Sequence, residues 1–148
     1  MSGSPEGTGR SRADKRRDTI TQATEDGMVV QYGAADVLQL DIDSPADLER
    51  AKSLLTRMKK IIGWTNVRQT RSRSGNWHLY VHLGNPIPMR ERMLLQGVLG
   101  SDPVRSILDW DTAHDQEECF LFELPGAAAR VVKLIAPERP DEDRAYEG

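Results

Sequence analysis

An apolar segment that ends in two aspartates limits the possible folds of this chain more than any other feature. In VLQLDIDS, residues 37–44, apolar side chains alternate with polar ones, which predicts a β-strand with one apolar and one polar face. Asp41 and Asp43 then share the polar face. Paired carboxylates repel each other unless a cation lies between them, and their oxygens suit Mg²⁺ or Mn²⁺. The alternative is a strand end whose acids face water and precede a helix.

The composition is that of a globular protein without a membrane span. The 148 residues are 38% hydrophobic and 29% charged, which is enough for one core. The apolar runs are shorter than the roughly 18 residues of a span, and we expect a cytoplasmic protein that does not bind membranes. The single cysteine, Cys119, excludes an internal disulfide. The net charge of -3 means that nucleic-acid binding requires a local basic surface.

The distribution of apolar residues divides the chain into three regions. Residues 1–27 contain few apolar side chains, and we expect them to form a disordered N-terminal tail. Residues 28–136 contain the predicted strands and helices of one α+β domain. Residues 137–148 are charged and are expected to form a flexible tail.

Local patterns predict the elements of this domain. Ser44 and Pro45 are typical of a helix start, and apolar residues at helical spacing extend that helix to about residue 60. Two further helices are predicted over residues 88–99 and 104–108. Strands are predicted over residues 28–32, 37–43, 64–70, 77–83, 119–124 and 130–135.

The order of these elements predicts the fold. From residue 37 onwards the main elements follow the order strand, helix, strand, strand, helix, strand, which is the split βαβ pattern. We therefore expect a single-layer antiparallel sheet of four to five strands with two main helices on one face, as in RNA-recognition and ferredoxin-like domains. The strands at 37–43 and 77–83 would be antiparallel neighbours at the centre. The strand at 119–124 would run beside 37–43.

This topology brings several polar features to one end of the helix-free face. In WHLYVHL, residues 77–83, alternation places His78 and Tyr80 on that face. The end of one strand meets the start of its antiparallel neighbour, so Asp41 and Asp43 lie near His78. The basic loop RSRSGN, residues 71–76, leads into the same edge. The sequence thus predicts one polar site there.

An apolar strand that ends in Asp-x-Asp, followed about 30 residues later by a Ser-x-His-like element, resembles the core of the archaeo-eukaryotic primase superfamily, the primase-polymerases. Three residues, rather than one, separate Ser74 from His78 here. Residues 38–123 also resemble small uncharacterised proteins of phages and plasmids, through the blocks LQLDIDS, SRSGNWH, LQGVLGSDP and LFE. The resemblance implies an RNA-recognition-like sheet and a role in phage or plasmid DNA replication.

The resemblance also implies metal-dependent nucleotidyl transfer, with nucleoside triphosphate and nucleic acid as partners. Its catalytic residues would be Asp41, Asp43 and His78, and the two aspartates would bind Mg²⁺ or Mn²⁺ with a third acid. Glu123 is preferred as that acid, and Asp109 and Asp111 are the alternatives. The substrate-binding residues would be Arg71, Arg73, Ser74, His78 and Tyr80.

Two other functions compete with this interpretation. The first is a catalytically inactive phage or plasmid module that binds nucleic acid or a host protein. Strand 37–43 carries acids where RNA-recognition sheets carry aromatic residues, which disfavours metal-free RNA binding on this face. The second is an Asp-x-Asp phosphatase of the haloacid dehalogenase type. Pro45 and the length of 148 residues argue against it.

Overall fold

The computed structural model describes residues 11–100, 118–127 and 129–134. This part of the chain has an α+β fold with three α-helices and a π-helical turn, Lys59–Gly63. The helices are α1 (Arg12–Glu25), α2 (Pro45–Arg57) and α3 (Met89–Val98). The strands are β1 (Val29–Tyr32), β2 (Val37–Ile42), β3 (Trp64–Arg71), β4 (Trp77–Leu83), β5 (Phe120–Glu123) and β6 (Arg130–Val132).

The described strands form two antiparallel sheets. One has four strands in the order β2-β4-β3-β6, and the other pairs β1 with β5. The register of the larger sheet places Asp41 opposite His78, and His78 opposite Thr70. The predicted antiparallel pairing of strands 37–43 and 77–83 is therefore confirmed. Among the described strands, however, β2 lies at the edge of the sheet and not at its centre.

The strand β5 differs most from the prediction. It pairs with β1, with Val29 opposite Glu123, and does not pair with β2. The outer edge of β2 is occupied by α3 instead, because the backbone N–H of Gln39 donates to Gln96 Oε1 at 2.9 Å. With its edge covered in this way, β2 does not offer β5 a free row of backbone groups. The described strands therefore form two sheets where we expected a single sheet.

The helix α2 covers one face of the four-stranded sheet. Ser44 caps it, with its Oγ accepting a hydrogen bond from the Asp47 N–H at 3.1 Å, and Pro45 occupies the first turn. Burying a leucine side chain contributes about 1.5–3 kcal/mol, so this contact supplies much of the stability. The opposite face of the sheet is left to the polar residues that alternate with the core. The core between α2 and the sheet includes Leu38, Leu40, Ile42, Leu48, Ala51, Leu55, Val67, Leu79 and Val81.

Residues 12–25 form the helix α1, although the composition predicted a disordered tail over residues 1–27. Ser11 caps this helix, with its Oγ accepting a hydrogen bond from the Asp14 N–H at 3.1 Å. Ala23 is buried, and the Arg16 guanidinium lies 4.6 Å from the centre of the Phe120 ring. The sequence did not predict α1 because the helix has no clear apolar stripe. Its stability depends on these contacts with the rest of the protein instead.

The remaining predictions are met in part or lie beyond the described ranges. The helix predicted over 88–99 corresponds to α3, and the strand predicted over 130–135 is shorter, as β6. Residues 1–10, the helix at 104–108 and the tail at 137–148 lie outside the described residues. Within the described ranges, no helix combines the length and the apolar character needed to cross a membrane.

Candidate functional site

A cavity of about 360 Å³ lies where the β3–β4 turn meets the ends of β2 and β4. We call it the turn cavity. Its apolar lining comes from Met28, Leu121 and Phe122, in and next to the two-stranded sheet. The structure thus brings one of the two predicted aspartates, the predicted histidine and the basic loop into one cavity. The polar lining residues are Asp41, Ser72, Arg73, Ser74, Asn76 and His78.

The β3–β4 turn is held by its own hydrogen bonds. The Ser72 N–H donates to the Asn76 carbonyl at 2.7 Å, and the Gly75 N–H donates to the Ser72 carbonyl at 3.0 Å. The Asn76 N–H also donates to Ser72 Oγ at 2.9 Å. Gly75 has a φ of 91°, which glycine adopts without a steric penalty. This turn carries Arg73 and Ser74, which are exposed to solvent.

His78 lies between two carboxylates. Its Nδ1 donates to Glu123 Oε2 at 3.0 Å, and its Nε2 lies 3.6 Å from Asp41 Oδ1. The His78 side chain is only 6% exposed. A carboxylate hydrogen-bonded to one ring nitrogen fixes the orientation of the imidazole and leaves the other nitrogen pointing at Asp41. His78 therefore has the geometry of a general base or of a phosphate-binding group.

Glu123 holds this arrangement together. Its carboxylate accepts hydrogen bonds from the hydroxyl groups of Thr70, 2.7 Å from Oε2, and of Tyr80, in addition to the bond from His78. Burial raises the pKa of Glu123, but these hydrogen bonds outweigh burial and hold that pKa below its ordinary value. Glu123 is therefore ionised near neutral pH and fixes three side chains of the larger sheet.

The three acids that were predicted to bind a metal do not all line the turn cavity. Asp41 lines it, whereas Asp43 is exposed just beyond the end of β2. Glu123 contacts the other side of the His78 ring and already accepts hydrogen bonds from three side chains, so it orients His78. Asp109 and Asp111 lie outside the described residues. Across residues 11–100, 118–127 and 129–134, no group of three or more His, Cys, Asp or Glu side chains is placed to hold a metal ion.

Two predicted substrate-binding residues make other contacts. The Arg71 guanidinium lies 4.3 Å from the centre of the Trp77 ring, and its Nε donates to the Gly75 carbonyl at 2.7 Å. Consecutive strand residues face opposite ways, so Trp77 and the Arg71 that stacks on it lie on the other face from His78. Tyr80 is 8% exposed and donates to Glu123. It offers no exposed ring face for stacking on a base.

Sequence reasoning missed Thr70 as part of this site. Thr70 lies directly opposite His78 in the β3–β4 register, and its hydroxyl is one of the three donors to Glu123. The signal was present in the alternation of β3, which puts Thr70 and Arg68 on the polar face. What could not be read was that Glu123 would approach this face from a second sheet.

Comparisons of the chain with models of protein families, with curated proteins and with solved structures gave no match. The resemblance to primase-polymerases therefore depends on the sequence blocks alone. The chemistry of the turn cavity has to be inferred from its own geometry.

Proposed function

We propose that the turn cavity binds the phosphate groups of a nucleotide or of a nucleic-acid end. The observation that carries this proposal is that Asp41, His78 and the β3–β4 turn line one cavity. The Arg73 guanidinium and the hydroxyl groups of the turn are donors that phosphate oxygens accept from readily. The volume of about 360 Å³ lies within the range of small-molecule sites.

The protein would then be a small primase-polymerase-like nucleotidyltransferase of phage or plasmid replication. The chain order of β2, α2, β3, β4 and α3 and the pairing of β2 with β4 support a relation to RNA-recognition-like and ferredoxin-like sheets. The position of β5 departs from that pattern. The relation is therefore proposed for the elements from β2 to α3.

A divalent cation is part of this proposal because Asp41 would otherwise repel a phosphate in the same cavity. Mg²⁺ is commonly held by one or two carboxylates together with substrate phosphates, so Asp41 and the substrate phosphates would suffice for such a site without Asp43 or Glu123. A bound Mg²⁺ or Mn²⁺ would supply charge neutralisation and a lower pKa for an attacking hydroxyl. Asp41 would bind and position the ion at the end of β2.

His78 would hold a phosphate oxygen or accept a proton at Nε2. Because Glu123 occupies Nδ1, the ring cannot turn without breaking a buried hydrogen bond. Fixed donors that do not reorganise during reaction are the usual source of transition-state stabilisation. Glu123 is thus a positioning residue in this proposal.

The second candidate is a module that binds nucleotide or nucleic acid, or a host protein, without catalysis. Two observations favour it. Tyr80 donates to Glu123 and is buried, and Asp43 lies outside the lining of the turn cavity. Such a module would keep the phosphate site and lack nucleotidyl transfer.

Thermal unfolding with ATP and Mn²⁺ tests the phosphate site. At 100 times the Kd, binding stabilises a protein by about 2.7 kcal/mol, which for a chain of this size raises Tm by roughly 5–10 °C. Asp41→Asn should abolish the part of this rise that requires Mn²⁺, and Arg73→Gln should reduce the part that requires ATP. The matched controls are Asp36→Asn and Arg50→Gln, which change exposed residues elsewhere.

A dinucleotide-synthesis or primer-extension assay then separates the two candidates. Product that is formed with Mn²⁺ and lost in Asp41→Asn and His78→Gln supports the enzyme. ATP-dependent stabilisation without product supports the binding module. If neither ATP nor Mn²⁺ changes Tm, the phosphate-site proposal is wrong.

A further inference from the structure

A second cavity, of about 340 Å³, lies between the Val29–Glu123 end of the two-stranded sheet and the polar face of β3 and β4. We call it the ribbon cavity. It has no described lining residue in common with the turn cavity. Its wall towards His78 is formed by Thr70, Tyr80 and Glu123, the same hydrogen-bonded group that orients that histidine. The ribbon cavity is therefore a separate site built against the same carboxylate.

Two of the nitrogen-containing side chains that line the ribbon cavity, Arg68 and His82, have unused hydrogen-bonding capacity. Arg68 is exposed and forms no ion pair with the described residues. The Nε2 atom of His82 is buried and has no hydrogen-bond partner in the described part of the chain. A buried polar atom without a partner costs about 1–3 kcal/mol, which a ligand group bonded to it would recover. Arg68 is thus available to an acceptor in the cavity, whereas Nε2 of His82 is closed off from the cavity in this structure and would reach an acceptor only after its ring moves.

The other lining groups restrict what that acceptor can be. Val29, Leu124 and the alanines Ala127 and Ala129 give the cavity an apolar wall. Glu123 adds a negative charge, although three donors already bind its oxygens. A ligand with one negative charge is therefore favoured over one with two, because each further charge meets Glu123. An arginine guanidinium binds a carboxylate with two parallel hydrogen bonds.

We infer that the ribbon cavity binds a small monocarboxylate with an apolar body, and that Arg68 and His82 hold its carboxylate group. The apolar body would lie against Val29, Leu124 and the two alanines. This inference does not depend on the proposed function, because the residues that would bind the ligand, and the class of that ligand, are different.

Titration of the full chain with sodium benzoate at constant ionic strength tests this site. The readouts are Tm and the imidazole ¹⁵N signals of the histidines. We expect saturable binding that shifts the His82 signal, and about tenfold weaker binding in Arg68→Gln. Arg130→Gln is the matched control. Arg130 is an exposed arginine on the neighbouring strand and lies opposite Gln69, on the other face of the sheet. Benzoate affinity should be unchanged in this control.

Three further measurements separate specific carboxylate binding in the ribbon cavity from other causes of a signal. Benzyl alcohol, which lacks the charge, and inorganic phosphate should both leave the His82 signal in place. Arg73→Gln in the turn cavity should leave benzoate binding unchanged, so failure of the phosphate site does not affect this result. The inference is overturned if benzoate does not saturate, if Arg68→Gln binds it as well as the original chain does, or if Arg73→Gln weakens it equally.

Discussion

The two cavities contain histidines from the same strand and the same face, yet the surroundings of the two rings are opposite. In the turn cavity, both nitrogens of His78 are next to carboxylates, at 3.0 and 3.6 Å. In the ribbon cavity, Nε2 of His82 is buried without a partner among the described residues. The two residues are four positions apart in β4, so alternation alone treats them identically. The difference comes from what packs over the sheet.

The packing that separates them is the β1–β5 pair. Glu123 ends β5 and lies opposite Val29, so the two-stranded sheet sets its position. From there its carboxylate reaches Thr70, His78 and Tyr80 but makes no hydrogen bond with His82. Glu123, which comes from the second sheet, therefore fixes the orientation of His78. It leaves His82 Nε2 without a partner among the described residues.

Removing this side chain should give the largest effect. We expect Glu123→Ala to lower the free energy of unfolding by about 3 kcal/mol, because three buried donors lose their acceptor. Urea denaturation measures this change. Glu49→Ala is the control. Glu49 is 77% exposed, and its ion pair with Lys52 is long, at 3.9 Å, so its removal should change stability by about 0.5 kcal/mol or less. Equal effects of the two substitutions would mean that the Glu123 network contributes little.

Replacing each histidine by phenylalanine tests the contrast directly. His78→Phe should cost about 2 kcal/mol, because Glu123 loses a buried donor. His82→Phe removes a nitrogen that has no partner in the described residues, and it should be neutral or slightly stabilising. Urea denaturation of both variants under one condition provides the comparison. A larger loss for His82→Phe than for His78→Phe would contradict the description of both cavities.

The sequence predicted those parts of the site that depend on local patterns. Alternation in β2 and β4 placed Asp41 and His78 on one face, and antiparallel pairing brought them opposite each other. The Ser44 cap and the turn at residues 72–76 also follow from residue type alone. These features need only the period of a strand, the hydrogen bonding of a cap and the chemistry of a turn.

The features that the sequence did not predict depend on long-range competition. β5 has only four residues, and nothing local distinguishes pairing with β1 from pairing with β2. The outcome depends on Gln96, a side chain of α3 that binds the edge of β2. Arg71 was misjudged for a related reason, because stacking on Trp77 takes it to the other face. Helix α1 lacks an apolar stripe and depends on contacts elsewhere.

The smallest expected effect is a dependence of stability on pH. Hydrogen bonds hold the pKa of Glu123 below its ordinary value, about 4.3 for glutamate, despite burial. The stability that ionised Glu123 contributes is therefore complete above that value and is lost as the pH falls through the lower pKa of the folded state. The difference in unfolding free energy between the original chain and Glu123→Gln should be constant near neutral pH and should shrink below about pH 4.3.

Urea denaturation between neutral pH and about pH 3 measures this difference, with the exposed Glu49→Gln as the control. The control should show no comparable narrowing, because Glu49 is 77% exposed and does not accept the hydrogen bonds of Thr70, His78 and Tyr80. The difference in unfolding free energy between the original chain and Glu123→Gln could instead begin to shrink well above about pH 4.3. That result would mean that burial raises the pKa of Glu123 by more than the three donors lower it. Glu123 would then become protonated at a higher pH than we expect. Over that pH range Asp41 would be the one ionised carboxylate beside His78 among the described residues of the turn cavity.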